Sequence, residues 1–280
     1  MNTVTGPVAF PEAFFLDGIA GRIFCLYQAA EGTPKGAILY IPPFAEEMNR
    51  CRSTVASQVR QLGKLGYACM LLDPYGTGDS EGDLSDATWE IWQDDVARAT
   101  DWLASRTGAV PILWGLRLGA LLAADVANRQ PGRFSRLLLW QPVLEGRLFL
   151  TQYLRLRVAF LMDRGLPAET TDTMRQELQD GKLLEVAGYS LNGRLAQGLD
   201  RTRMADFDAL TGIEMDWLEL VSEAGKPFAP ASSKLMTQWN GQGCVVRSHP
   251  FTGPAIWQLH KRDEVPELVE MTTQLFREPS

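Results

Sequence analysis

The sequence predicts an α/β fold, with a mostly parallel central sheet and helices on both faces. Two observations carry this prediction. Strand-length runs that are apolar throughout alternate with helix-length segments over the first half of the chain, the order expected of βαβ units whose strands are buried on both sides. Proline or glycine punctuates the junctions, as at Pro42-Pro43, Gly66 and Gly108. At 280 residues the chain is long enough to bury a core without a disulfide staple.

Taken in order, Phe14 to Leu16 and Arg22 to Gln28 read as strands of a hairpin about Asp17-Gly18. Ala37 to Ile41 is a buried strand, and Glu46 to Leu65 has helical spacing that stops at Gly66, a good C-cap residue. Tyr67 to Leu72 is the next strand. Thr88 to Arg106 sets Trp89, Trp92, Val96, Ala99 and Leu103 on one helical face. Val110 to Trp114, Leu118 to Asn128 and Arg136 to Trp140 follow as strand, helix and strand, completing βαβαβαβ. The pattern then changes to a helix carrying Arg147, Arg155, Arg157 and Arg164 and to mixed polar segments, with Gly181 to Tyr189 a candidate strand. Residues 144–212 therefore read as a largely helical cap insertion within one domain spanning 1–280, whose core comes from 1–143 and 213–280. Ile213 to Val221 and Cys244 to Arg247 resume strand character, with helices at Ser232 to Trp239 and Val265 to Phe276.

Ligands of such sheets bind outside the carboxyl ends of the strands, which directs attention to the loops after Ile41, Leu72, Trp114 and Trp140. The most informative stretch is Leu113-Trp114-Gly115-Leu116-Arg117-Leu118-Gly119-Ala120. A strand, G-x-x-x-G and a small-residue helix have the geometry of a nucleophile elbow, whose glycines permit a tight turn that thrusts the central residue into a site. Here that residue is arginine. Upstream, Asp73-Pro74-Tyr75-Gly76-Thr77-Gly78-Asp79-Ser80 resembles the D-x-x-G-x-G-x-S turn of many α/β-hydrolases.

Together with Ile41-Pro42-Pro43-Phe44-Ala45-Glu46-Glu47-Met48-Asn49, Asp86-Ala87-Thr88-Trp89-Glu90 and Glu185-Val186-Ala187-Gly188-Tyr189, these stretches resemble the exosortase A system-associated hydrolase 2 family of the α/β-hydrolase superfamily over most of the chain. The resemblance implies an α/β-hydrolase fold and a pocket of ester or thioester type. It also implies a cytoplasmic bacterial protein from gene neighbourhoods for exopolysaccharide production and envelope protein sorting.

An arginine stays protonated at working pH and cannot attack a carbonyl as serine does. At a helix N-terminus its charge opposes the macrodipole, so Arg117 calls for a partner. Glu46 or Glu47, after the neighbouring strand, is one choice, and an anionic group of a substrate is the other. The superfamily pattern implies oxyanion donors at the backbone N–H groups of Phe44 and Leu118. It places an acid after the strand ending near Val221, where Glu219 and Glu223 stand, and a base after Cys244 to Arg247, where His249 is nearest and His260 is second. Asp73, Tyr75 and Trp140, at strand ends, are substrate-binding candidates. Cys51 and Ser53 are alternative nucleophiles, and Ser80 reads as a turn hydroxyl.

Lys and Arg number 27 against 34 Asp and Glu, a net charge of −7 that disfavours nucleic acid as the main ligand. The four cysteines, at 25, 51, 69 and 244, form no CxxC pair, and with only two histidines the common zinc spacings are excluded. Nothing in the sequence calls for a metal or an organic cofactor. Scattered cysteines in apolar runs and the absence of a basic residue before Arg22 point to a reduced, cytoplasmic chain with no secretory leader, and no run is long and apolar enough to span a membrane. The expected partner is a small acyl or glycan-linked molecule, anionic or carrier-bound. Three functions follow: an ester or thioester hydrolase or acyl transferase lacking the serine nucleophile, a non-catalytic binder of an anion or acyl ligand, and a dead enzyme with Arg117 locked to Glu46 or Glu47.

Overall fold

Alternation along each strand sorts side chains between two helical layers. The computed structural model describes residues 10–258 and 265–277. Its main sheet contains β1 (Glu12–Asp17), β2 (Arg22–Gln28), β3 (Gly36–Ile41), β4 (Tyr67–Asp73), β5 (Ile112–Leu116), β6 (Arg136–Trp140), β9 (Glu214–Leu220) and β10 (Val245–Phe251). They lie in the order β1-β2-β4-β3-β5-β6-β9-β10. The β1–β2 and β2–β4 pairs are antiparallel and all the others parallel.

Leu39, Ile41, Leu113, Leu137, Leu139, Met215 and Trp217 face one layer, with α2 (Trp89–Thr107), α3 (Leu118–Arg129) and α7 (Pro230–Gly241). Ile38, Tyr40, Trp114, Leu116, Leu138, Trp140 and Leu218 face the other, with α1 (Glu46–Lys64) and α8 (Pro266–Arg277). Both faces of the central strands are therefore apolar, which is why the sequence shows continuous runs there. Helix α2 begins and ends where the sequence places it: Thr88 accepts from the Ile91 N–H at its start, and Gly108 ends it at φ 70°.

Three boundaries differ from expectation. The fifth strand begins at Ile112 rather than Val110, which is exposed beside Pro111. Gly181 to Tyr189 does not join the main sheet but turns back as a two-stranded hairpin, β7 (Leu184–Val186) and β8 (Tyr189–Leu191), around Ala187-Gly188, both at positive φ. The last strand continues through His249 and Pro250 to Phe251; β10 is an edge strand, where a proline's missing N–H is tolerated. His249 thus stands inside a strand, not in the loop after it.

Between β6 and β9 the chain forms α4 (Gly146–Asp163), α5 (Thr171–Gln179), the β7–β8 hairpin, α6 (Gly193–Arg201) and a short 3-10 turn at Met204–Asp206. This segment contacts the body through α4 on α3 and α6 on α2. Close approach is enforced by glycine: a Cβ at Gly198 would stand 2.5 Å from the Trp89 Cβ, and one at Gly146 2.2 Å from the Leu199 carbonyl oxygen.

The strand order reverses at β3. The chain leaves it for β4 on one side and later returns to β5 on the other, so the loops after β3 and β5 open a crevice at the carboxyl edge.

Candidate active site

That crevice is built on strained backbone. Arg117, between β5 and α3, has φ 55° and ψ −117°, and Ala45, at the start of α1, has φ 52° and ψ −125°. Gln141, directly after β6, has φ 43°. Non-glycine residues are held in this region only where their surroundings over-determine them, and such strain concentrates at functional sites. Around Arg117 the constraint is explicit. Its N–H donates to the Trp140 carbonyl at 3.0 Å, and its carbonyl accepts from Ala120 at 3.1 Å and Val143 at 3.2 Å. A Cβ at Gly119 would lie 2.3 Å from the Ile41 carbonyl oxygen, and one at Gly115 2.4 Å from Ala120 Cα. Both elbow glycines are therefore required by close packing.

The Arg117 side chain enters a cavity of about 230 Å³ lined by Phe44, Glu46, Glu47, Arg50, Phe149, Gln152, Tyr153, Leu156, Trp257 and Gln258. Its Nε and Nη2 both donate to Glu47 Oε1 at 3.3 Å, and the guanidinium stacks on the Trp257 ring at 5.2 Å. Arg50 donates to the Trp257 carbonyl at 3.1 Å, fixing that ring's loop against α1. Of the two expected partners, Glu47 is the one that engages Arg117. Burial pushes the Glu47 carboxyl above its ordinary range, while the Arg117 charge and hydrogen bonds pull the other way. Glu46 Oε2 and Glu47 Oε2 are both closed off from water without a hydrogen-bond partner, a costly state for carboxylate oxygens.

Phe44 and Leu118 line a second, smaller cavity of about 20 Å³ together with Pro42, Gly119, Trp89 and Trp92. That volume holds about one water-sized group. Neither backbone N–H has a protein acceptor among the described residues. Phe44 joins the two cavities, its ring packing edge-on to Phe149 at 5.7 Å and Tyr153 at 4.9 Å.

The remaining candidates lie elsewhere. His249 Nε2 is 3.0 Å from Asp216 Oδ1, in a cluster that also holds Arg136 and Arg247 on β6, β9 and β10. Glu219 is buried on the opposite face of β9, where it accepts from the Trp217 indole at 2.9 Å and the Ala229 N–H at 3.2 Å. Glu223 is exposed, 3.9 Å from Lys226. His260 lies outside the described residues. Asp73 accepts from the Asp79 N–H at 3.0 Å and from Arg52 at 3.4 Å, holding the glycine turn. Tyr75 packs on Gly21 and Gly82, and its backbone bonds Asp95 and Trp92. Trp140 is fully buried, donating to Thr272 at 3.0 Å and stacking edge-on with Trp114. The structure brings none of these into the cavity.

Ser80 serves the turn: its Oγ accepts from the Phe24 N–H at 2.7 Å and donates to the Asp73 carbonyl. Cys51 is fully buried, and burial together with the Glu47 charge pushes its thiol far above the usual range, leaving no thiolate. No serine, cysteine or histidine is among the described residues lining the cavity. Sequence reasoning missed Arg50, Tyr153, Trp257 and Gln258. The aromatic after Gly253-Pro254, in the loop following the last strand, was the available signal for Trp257.

Comparison with known proteins agrees with this architecture. The chain is 33% identical over 106 residues to the human mitochondrial palmitoyl-protein thioesterase ABHD10, a match covering 38% of this chain and 32% of that protein. The orangutan (Pongo abelii) counterpart is 33% identical over 113 residues, 40% of this chain and 35% of that one. The chain thus spans about a third of the length of these curated relatives. Among solved structures, a carboxyl esterase from Bacillus coagulans superposes with a TM-score of 0.66 at 12% identity, covering 95% of this chain and 98% of that one. Est1E from Butyrivibrio proteoclasticus with ferulic acid bound gives 0.63 at 16% identity, covering 95% of this chain and 96% of that one. These likenesses establish the fold as that of the α/β-hydrolases. A sequence model described as Serine aminopeptidase, S33 matches residues 32–180, just over half of the chain, and the protein belongs to that hydrolase family.

Proposed function

We propose that this chain hydrolyses an ester or thioester by attack of water rather than of a serine, or transfers its acyl group when an acceptor hydroxyl, amine or thiol attacks in place of that water. The observation that carries the reading is the Arg117 cavity, where an elbow delivers a guanidinium beside two carboxylates, each with an oxygen lacking a partner. In this reading Glu47 neutralises and orients Arg117, and the guanidinium polarises the substrate carbonyl. Glu46 takes a proton from water as its oxygen bonds to the carbonyl carbon. The oxyanion is held by the N–H groups of Phe44 and Leu118, and collapse expels the alcohol or thiol, which takes up the proton from Glu46. His249, bound to Asp216, has no part in it.

The thioesterase relatives support an acyl thioester as the first substrate class to try. The resemblance to the exosortase A system-associated hydrolase 2 family supports a role in exopolysaccharide-linked metabolism, in the cytoplasm, where four unpaired, buried cysteines are at home. The segment between β6 and β9, close to residues 144–212, is the cap, since α4 supplies Phe149, Gln152, Tyr153 and Leu156 to the cavity.

The test is turnover of acyl-thioester and nitrophenyl-ester series of increasing chain length by wild type, Arg117→Ala and Glu46→Gln, alongside fluorophosphonate labelling. Turnover lost in both variants with no covalent adduct supports water attack. A labelled hydroxyl, or turnover unchanged in Arg117→Ala, overturns it. The absence of any nucleophilic side chain from the described cavity lining favours a second reading, a non-catalytic binder of an acyl ligand. It predicts thermal stabilisation by ligand, lost in Arg117→Ala, with no turnover.

A further inference from the structure

The proposed reaction leaves one charge in the Arg117 cavity without a task. Arg117 gives its Nε and Nη2 to Glu47, and Glu46 serves the attacking water. Arg50, half-buried in the same lining, forms no ion pair among the described residues. Glu46 and Arg50 stand four residues apart on α1, the acid N-terminal to the base, which is the spacing and order that favour a helical ion pair. They do not pair. Arg50 Nη1 instead donates to the Trp257 carbonyl at 3.1 Å, and Glu46 Oε2 is left without a partner.

A guanidinium carries its N–H groups in a rigid fork, and the Trp257 carbonyl takes only one of them. That bond anchors the Arg50 head at the cavity wall and leaves the other donors for a planar anion, which a guanidinium binds with two parallel hydrogen bonds. With Arg117 held by Glu47, Arg50 is the cation left in the lining for an anionic group of the substrate. Trp257 sets how far that group lies from the reacting carbonyl, because both guanidinia touch it. Arg117 stacks on its ring at 5.2 Å, and Arg50 bonds its backbone carbonyl. The two cations are thus held at the two ends of one tryptophan, a separation that a chain of a few carbons spans. Phe44, Phe149, Tyr153 and Leu156 give those carbons an apolar wall, in a cavity of about 230 Å³. A phosphate at the far end of a long carrier arm stands too many bonds from its thioester to fit that separation.

We propose that Arg50 binds a carboxylate carried by the acyl group, so that the substrate class is short-chain esters or thioesters of dicarboxylic acids. The inference rests on the hydrolytic reading for placing the reacting carbonyl at Arg117, whereas the anion site itself stands on Arg50 and Trp257. The charges of Glu46, Glu47, Arg50 and Arg117 cancel, so the lining as a whole neither draws nor repels an anion. Position decides. A carboxylate is favoured beside Arg50 and opposed beside Glu46, which fixes the direction in which a dicarboxylic chain enters.

The test combines turnover and binding on the full chain. Butyryl and glutaryl thioesters of N-acetylcysteamine are assayed with wild type, Arg50→Gln and Arg50→Lys. Glutamine keeps an N–H for the Trp257 carbonyl and removes the charge. Wild type is expected to show the lower KM for the glutaryl thioester. Arg50→Gln is expected to raise that KM at least about tenfold, the scale of a charge-assisted hydrogen bond, while kcat and the butyryl thioester change less than about twofold. Arg50→Lys is expected to keep part of the preference. Equal losses on both thioesters mean that Arg50 only holds the Trp257 loop, and they overturn the proposal, as does a wild type without preference. A loss in Arg50→Gln confined to butyryl-coenzyme A assigns Arg50 to a phosphate of the leaving group and also overturns it. Calorimetry with glutarate and with uncharged glutaramide needs no turnover. Arg50-dependent glutarate binding in a chain that cleaves no thioester keeps the anion site and sinks the hydrolytic reading. Arg117-dependent cleavage without Arg50-dependent glutarate binding keeps that reading and sinks the anion site.

Discussion

Asp216 and Glu47 are both carboxylates withdrawn from water beside arginine, yet they sit in opposite states. Asp216, on the third residue of β9, is fully buried and receives Arg136 at 2.8 Å, Arg247 at 2.9 Å and His249 at 3.0 Å. Burial alone would raise its pKa, but the hydrogen bonds from His249 and Arg247 and the Arg136 charge hold it well below the usual carboxylate range. Glu47, at the opposite, carboxyl edge of the sheet, has one cation bonded through one oxygen at 3.3 Å, a partnerless second oxygen, and a raised pKa. The first cluster spends its interactions on tying three strands together. The second leaves a carboxylate oxygen without a partner beside a cavity, the arrangement on which the proposed function rests.

The largest expected effect breaks the sealed cluster. Asp216→Ala strands Arg136 in the interior and is expected to cost about 3–5 kcal/mol of stability, measured by chemical denaturation, because an unpaired buried charge remains. Any ligand affinity of the folded fraction stays as in wild type. Next, Arg117→Ala is expected to lower turnover by about a hundredfold or more, the scale of losing one electrostatic contact to a developing charge. Its denaturation midpoint changes little, because Glu47 then takes up a proton. A steady-state assay and a melt on the same preparation check both halves.

A subtler contrast lies in pH. Asp216, with its pKa lowered by folding, adds stability above its unfolded value of about 3.9, and that contribution is lost as pH falls through the lower folded value. Glu47, with its pKa raised, does the reverse: its ionisation opposes folding as pH rises above about 4.3 through the folded value. The melting temperature of Glu47→Gln relative to wild type is therefore expected to improve from pH 4 to pH 8. That of Asp216→Asn is expected to worsen as pH rises from 2 to 5. Calorimetry across pH reads both signs. At the small end, Glu223→Gln, on the exposed loop after β9, is expected to change neither melting nor turnover.

Most of the sheet was legible because its strands are buried on both faces and so appear as unbroken apolar runs between helices. The elbow was legible for a similar reason, since close packing at Gly115 and Gly119 leaves no room for any side chain. The rest of the site was not. His249 looked like a loop residue because Pro250 follows it, and only the sheet order shows that β10 is an edge strand that tolerates proline. Asp216, its partner, shares its strand with Glu214 and Glu219 and carries no local signal that sets it apart from them. Trp257 and Tyr153 reach Arg117 from about 140 and 36 residues away, a meeting that depends on how the loop after β10 and the helix α4 fold over the crevice.

The backbone of the β5–α3 turn is fixed from outside, by the Trp140 and Val143 hydrogen bonds and by two glycines pressed against Ile41 and Ala120. None of those restraints touches the Arg117 side chain beyond its Cα. The turn is thus a socket with an exchangeable bit: Arg117→Ser would seat a hydroxyl at the same spot without redesigning the fold. Its proton would have to pass to a carboxylate, since no histidine is among the described residues lining the cavity. The turn and the side chain it carries are restrained separately, so each can be altered while the other stays in place.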